Sequence, residues 1–308
     1  MTLVMEKTEA HAAETMTPGS FELKVDIAKA AAFAFLLDPS GDGSGPGHFR
    51  RGRNRLPRYF DWLQVPSERA LSLVDQLMPR QPEVLPPLPF NFLVSTRWAG
   101  SAQSVEVFVN MAFRRHNELL VRVPAWATFL MGHQPIERWI TLQPHLARLG
   151  KISLMGVDTS STGGHALEVL IRADDLQAED LKRIATLAGA PSGQLLHLWR
   201  SFAMTGVSDP GSTLLSIRLA GDASLDVGVT FPARRAGSSL DIQKRIQSLA
   251  YVYDLEIGRY LESIEELKGL SGRAPEHSML GFSSKDGRIM LTASFESVAA
   301  HHGMSRAS

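Results

Sequence analysis

Close to its C-terminus the chain carries a segment that has few choices other than to turn back on itself. His277-Ser278-Met279-Leu280-Gly281-Phe282-Ser283-Ser284 is followed by Lys285-Asp286-Gly287 and then by Arg288-Ile289-Met290-Leu291-Thr292-Ala293-Ser294-Phe295. Gly287 lets the connection turn, and the second arm alternates residue by residue, with Leu291, Ala293 and Phe295 on one side, as a strand with one buried face does. A long amphipathic stretch stands directly before it. The same order, helix and then a two-strand hairpin, occurs at least twice earlier in the chain. Repetition at this scale points to a cyclic or barrel-like architecture.

The earlier hairpins read as Phe90 to Trp98 with Ser104 to Met111, and Lys151 to Asp158 with His165 to Arg172. A longer β region follows: Phe202 to Ser208, Thr213 to Leu219, and Leu225 to Phe231. Glu118 to Val123 reads as an extension of the first sheet. Helical patterns cover Tyr59–Leu63, Ser67–Met78, Pro135–Leu149, Ala178–Ala188, Ser192–Arg200 and Ser239–Lys268, the last with a break near Asp254. The Ala-rich segment Phe21–Leu37 reads as helix, with a short strand at Glu22–Ile27 as the alternative. Asp38–Gly47, DPSGDGSGPG, reads as a loop running into Arg50, Arg51, Arg53, Arg55 and Arg58. That arginine run is either a solvated loop or a mouth for an anionic ligand or acidic peptide. The organisation expected is a flexible tail at 1–19, one domain over 20–296 and a second tail at 297–308.

With 308 residues the chain can bury a sizeable core, and its 32 basic and 32 acidic residues cancel. There is thus no global electrostatic reason to expect nucleic acid or an anionic membrane. No cysteine occurs, which excludes disulfides, thiolate metal sites and cysteine nucleophiles. No apolar run approaches the roughly 20 residues of a membrane span, and the polar N-terminus is unlike a signal peptide. The expectation is a soluble cytoplasmic protein. The glycine-rich phosphate loop, His-Glu-x-x-His and Gly-x-Ser-x-Gly are all missing, and no metal-ligand spacing is present, so no metal site is assigned.

Antiparallel hairpins separated by helices fit an α+β architecture with the helices on one side of the sheet. If the sheet closes, apolar positions face the helices and alternate positions face a lumen. The outward set is Val105, Val107, Val109, Leu167, Val169, Ile171, Leu215, Ile217, Leu219, Leu225, Val227 and Val229, with the Leu291 face of the last strand. Facing inward are then Ser95, Arg97, Ser104, Glu106, Asn110, Asp158, Glu168, Arg172, Arg218, Asp226, Arg288 and Ser294. The proposed cavity lining is Leu93, Phe108, Gly156, Ser216, Met290 and Thr292. The pattern is equally that of an open sheet with one wet face. In a cavity, arginines would hold an anion and a carboxylate would accept a proton.

The final hairpin resembles the last strand pair of the ABBA aromatic prenyltransferases, with a Gly-Phe-Ser-like strand, a Lys-Asp-Gly-like turn and a Leu-Thr-x-x-Phe strand. The Ile152–Arg172 pair is similar to the corresponding pair of cyanobactin-type peptide prenyltransferases. Phe202–Ser208 with Leu214–Leu219 looks like a later pair of that group. The resemblance spans Phe90 to Phe295 and rests on pattern and short strings; it marks a divergent member. It implies a ten-strand antiparallel barrel of αββα repeats ringed by helices. It also implies transfer of an allylic group, dimethylallyl or geranyl, from its diphosphate to an aromatic ring or a peptide side chain, as in natural-product biosynthesis. Such chemistry needs cations at the diphosphate, π-faces around the allylic cation and a base for the acceptor's proton.

Carried over by position, the resemblance makes Arg97, Arg172, Arg218 and Arg288 the diphosphate clamp. Glu106, Asp158 and Glu168 become the candidates for the base. Mg²⁺ with the donor is the one cofactor it allows. The partners implied are the allylic diphosphate and an aromatic or peptide acceptor, with no nucleic acid and no membrane. Two positions depart from the family. Its first-strand acidic residue falls on Leu93, and the four tyrosines, Tyr59, Tyr251, Tyr253 and Tyr260, lie outside the expected strands. A catalytically inactive barrel that binds a peptide or partner protein is the alternative these departures leave.

Overall fold

A computed structural model gives the fold and describes residues 21–26, 32–37, 46–79, 92–99, 102–132, 136–203, 213–220, 225–285 and 287–295. Among the described residues five strand pairs alternate with four helix pairs. The order is β1 (Phe21–Asp26), β2 (Ala32–Leu37), α1 (Pro46–Trp62), α2 (Glu68–Leu77), β3 (Phe92–Ala99), β4 (Ala102–Asn110), α3 (His116–Met131), α4 (Ile136–Leu149), β5 (Lys151–Ser160) and β6 (His165–Arg172). It continues with α5 (Ala178–Ala188), α6 (Ser192–Ala203), β7 (Leu214–Ala220), β8 (Leu225–Pro232), α7 (Ser239–Tyr253), α8 (Gly258–Ser271), β9 (His277–Lys285) and β10 (Arg288–Phe295).

Strands β3 to β10 form one curled antiparallel sheet. β1 and β2 pair with each other and with its two edge strands, β10 and β3, so the ladder order runs β1-β10-β9-β8-β7-β6-β5-β4-β3-β2 and returns to its start. The paired strand ends Ala99 and Ala102, Thr159 and His165, Leu219 and Leu225, and Lys285 and Arg288 all lie at one end of this ring. The helix pairs leave from and return to the other end.

The two faces sort as alternation requires. Val105, Val107 and Val109 on β4, Leu167, Val169 and Ile171 on β6, and Leu215, Ile217 and Leu219 on β7 are all buried, as are Leu225, Val227 and Val229 on β8 and Leu291, Ala293 and Phe295 on β10. They pack under the helices with Leu56, Tyr59, Phe60, Trp139, Phe202 and Tyr260 in one continuous core. Each such side chain taken from water contributes about 1.5–3 kcal/mol before the entropy cost of ordering it. Trp139 satisfies its buried indole by donating from Nε1 to the Leu120 carbonyl at 3.0 Å, which ties α4 to α3.

Four expectations change. In Phe21–Leu37 the strand alternative holds and the helix does not: Phe21–Asp26 and Ala32–Leu37 are two paired strands. The aromatics at Phe33 and Phe35 stand two apart, as in a strand, and the edges of β3 and β10 supply the backbone partners. Glu118–Val123 is helical because its apolar residues continue a longer stripe: Leu119, Leu120, Val123, Trp126, Ala127 and Leu130 form one buried face of α3. The arginines from Arg50 to Arg58 lie on α1, where Phe49, Leu56, Tyr59 and Phe60 recur at helical spacing on the buried side. Phe202 closes α6 on the same face as Leu195, Leu198 and Trp199; residues 204–208, the rest of that expected strand, lie outside the described residues. The break at Asp254 is as expected. It ends α7 in the left-handed conformation, and α8 begins four residues later. Among the described residues no helix is long and apolar enough to cross a membrane.

Candidate functional site

The inner face of the curled sheet gathers charge at mid-height. Glu106 on β4 stands directly opposite Asp158 on β5, and Glu168 on β6 directly opposite Arg218 on β7. Asp226 on β8 is the cross-strand partner of Arg218 on its other side. Two carboxylates facing each other across a ladder repel, so this register costs energy unless a cation sits between them. Arg218 supplies it by reaching back across β6. Its Nη2 donates to Asp158 Oδ2, and its Nη1 lies 3.4 Å from Glu106 Oε1 and 3.7 Å from Glu168 Oε2. The side chains of Arg218 and Glu168 keep 15% and 18% exposure while that of Glu106 keeps 5%, so the cluster borders the lumen with Glu106 deepest in it.

The electrostatics follow from this packing. Burial, then repulsion from Glu168 and Asp158, holds the Glu106 carboxyl well above the usual carboxylate range; Arg218 and Arg97 pull it partly back. Burial alone would lower the affinity of Arg218 for its proton, but attraction to Asp158, Glu106 and Glu168 outweighs it and the guanidinium is held charged more firmly than usual. Removing such a cation would leave three carboxylates uncompensated, a loss of roughly 3–5 kcal/mol for a buried pair.

Gly156 makes the arrangement fit. It lies between Phe108 and Glu168 in the ladder, and a Cβ there would come within 2.8 Å of Phe108 Cε1 and 2.9 Å of Glu106 Oε1. The Glu106 carboxylate and the Phe108 ring thus occupy the space a side chain at 156 would need. Gly228 and Gly281 do the same elsewhere on the inner face, beside Ser216 and Thr292 respectively.

The three expected carboxylates, Glu106, Asp158 and Glu168, are therefore brought together. The four expected arginines are not. Arg218 is central but held by the acids. Arg97, half-buried on β3, is near enough to act on Glu106. Arg288 is exposed at the hairpin-turn end, where β10 begins. Arg172 is at the opposite end, half-exposed, and its Nε donates to Asp174 Oδ2 at 2.8 Å. Four residues of β6 separate it from Glu168, about 13 Å at the rise of a strand. Leu93 and Phe108 pair across β3 and β4 on the inner face, with Ser216 on β7 and Met290 and Thr292 on β10. Alternation places Asp226 inward but gives it no role. The signal that singles it out is symmetry, since it and Arg218 stand equally far from the β7–β8 turn. The four tyrosines are all helical, Tyr59 on α1, Tyr251 and Tyr253 on α7 and Tyr260 on α8.

Among the described residues no three or more His, Asp or Glu side chains are grouped to hold a metal ion. The lumen acids face a guanidinium, and no step here is routed through a metal.

No protein-family model and no curated protein matches the sequence. Solved structures do match in fold. A 5-dimethylallyltryptophan synthase from Streptomyces coelicolor, in complex with DMASPP and Trp, superposes with a TM-score of 0.72 at 16% identity, over 91% of this chain and 79% of that one. The prenyltransferase PriB, in a ternary complex with L-tryptophan and dimethylallyl thiolodiphosphate, gives 0.70 at 15% identity over 91% and 80%. NotF prenyltransferase gives 0.62 at 11% over 90% and 80%. The structural neighbours are ABBA-type aromatic prenyltransferases, and the chain has their fold.

Proposed function

We propose that this protein transfers an allylic group, dimethylallyl or a longer homologue, from its diphosphate to an aromatic acceptor inside a ten-strand barrel. The observation that carries the reading is Glu106. It is a buried carboxylate on the inner face whose affinity for a proton is raised, in the fold of enzymes that prenylate aromatic substrates. In the reaction the donor's C1–O bond breaks and its electron pair leaves with the diphosphate. A π-electron pair of the acceptor forms the new bond to C1, and the proton displaced from the ring passes to the Glu106 carboxylate. A base with raised proton affinity, once ionised, is better matched to that task than an ordinary carboxylate. Phe108, beside Glu106, offers a π-face to the allylic cation. Arg97 and Arg288, on the inner face toward the hairpin-turn end, are the residues we assign to the diphosphate. Asp158 and Glu168 complete the charge around Glu106. The protein acts as one domain over 20–296 in this reading, and the cytoplasm, where allylic diphosphates are made, is its assigned compartment.

The test is incubation with dimethylallyl diphosphate and L-tryptophan, then with a panel of other aromatic acceptors, following pyrophosphate release and donor binding separately. Glu106→Gln should bind donor normally and lose about 10²–10⁴-fold in turnover, the span of a general base. Arg97→Ala should weaken donor binding and Arg172→Ala should not. No donor binding at millimolar concentration would overturn the reading.

A further inference from the structure

The central arginine of the lumen does not have the surroundings of an anion ligand. A guanidinium that binds diphosphate needs donors directed at open space, whereas both terminal nitrogens of Arg218 point at carboxylates on three other strands. Asp158 takes Nη2; Glu106 and Glu168 share Nη1, at 3.4 and 3.7 Å. Asp226 stands across the ladder on β8. A diphosphate brought to this point would meet an excess of negative charge. What the arrangement does is fix geometry. Glu106 and Asp158 would repel each other, but Nη1 gives the Glu106 Oε1 a cation 3.4 Å away to approach, and Gly156 leaves the carboxylate just enough room to do so.

We infer that Arg218 is a positioning residue for Glu106 and not a ligand of the donor diphosphate: anchored by Asp158 and Glu168, its guanidinium sets where the Glu106 carboxylate lies and how readily it takes a proton. This rests on the reading of Glu106 as the acceptor's base. The charged groups facing Glu106 are Arg97 from β3, Asp158 from β5, Glu168 from β6 and Arg218 from β7. His165 on β6 lies near enough to Asp158 to feel its charge. Cations and anions in this set act on Glu106 in opposite senses, which gives the inference a signature that loss of packing cannot imitate.

The experiment compares wild type with Arg218→Gln, Arg218→Lys and Glu168→Gln. Two quantities are read: the acidic limb of the kcat–pH profile, and the titration of the Glu106 carboxyl by NMR in protein labelled with [δ-13C]glutamate, the signal assigned by its loss in Glu106→Gln. Arg218→Gln should move both upward by about one pH unit or more and Glu168→Gln should move both downward. Arg218→Lys, which keeps the charge and loses the fork, should return the titration most of the way while kcat stays depressed and the KM for donor is unchanged. If Arg218→Gln fails to fold, the Lys and Glu168 variants still decide. A titration that stays put or moves the same way in both would overturn the inference, as would loss of dimethylallyl diphosphate binding in Arg218→Lys. Opposite shifts by NMR without turnover on any acceptor would uphold the link between Arg218 and Glu106 while removing prenyl transfer.

Discussion

Gly156 is the position where one methyl group has the most specific consequence. Its added Cβ would strike the Phe108 ring and the Glu106 carboxylate together. Gly156→Ala should therefore displace both, costing about 1–3 kcal/mol as an overpacked site, with a drop in turnover larger than the same loss of stability would cause elsewhere. Urea unfolding beside steady-state kinetics checks this; unchanged kinetics with reduced stability would argue against it. His277 makes a second residue-scale prediction. Its Nε2 lies 3.0 Å from the Tyr260 hydroxyl, Phe295 packs 4.8 Å from its ring, and burial pushes its pKa down to about 4 from 6.5. A histidine kept neutral by burial binds fewer protons folded than unfolded, so its contribution is intact above about 6.5 and is lost as pH falls toward about 4. Wild type should lose on the order of 2–3 kcal/mol between pH 7 and pH 4.5 from this group. His277→Phe should show a smaller loss over that interval, measured by urea midpoints.

The elements show which information the sequence carries openly. Ser238 and Asp241 form a capping box at the start of α7: each side chain accepts from the other residue's backbone N–H. Ser238→Ala should cost about 1 kcal/mol in unfolding free energy, read in the same urea titrations. Strands β4, β6, β7, β8 and β10 were legible because each carries alternation of apolar and polar residues, and that alternation also placed Glu106, Glu168 and Arg218 inward, with Asp158 on β5, whose register slips between Ile152 and Leu154. What alternation cannot provide is the level of a residue along the lumen, which depends on register and on the stagger between strands. Arg172 and Arg288 share a face with Arg218 yet stand at opposite ends of the ring, so the clamp assigned from face alone spreads out. The β1–β2 pair is only half legible: a strand at Glu22–Ile27 stands as the alternative to helix, but the alanines from Ala28 to Ala34 favour helix locally, and the edges of β3 and β10 supply the partners that make strands.

For the molecule as a whole, closure joins the two extremes of the chain. Leu23 pairs with Phe295 and Val25 with Ala293, so the first strand cannot find its place until the last has been made. Contacts of such sequence separation are slow to form, which makes this seam the late step of folding. Deleting residues 1–37 should leave β3 and β10 with unpaired edges and produce self-association in proportion to concentration. Size-exclusion chromatography with light scattering would detect it; a stable monomer at all concentrations would show that the seam is dispensable.

Gathering the connected strand ends at one rim also has a practical yield. The loop at Ser161–Gly164 projects there, exposed and with Gly163 in the left-handed conformation. Since the native chain contains no sulfhydryl, a Thr162→Cys variant would accept a single fluorophore without competing modification. Such a dye would stand guard at the doorway nearest Arg288, and a change in its emission on mixing with candidate molecules would time their passage directly.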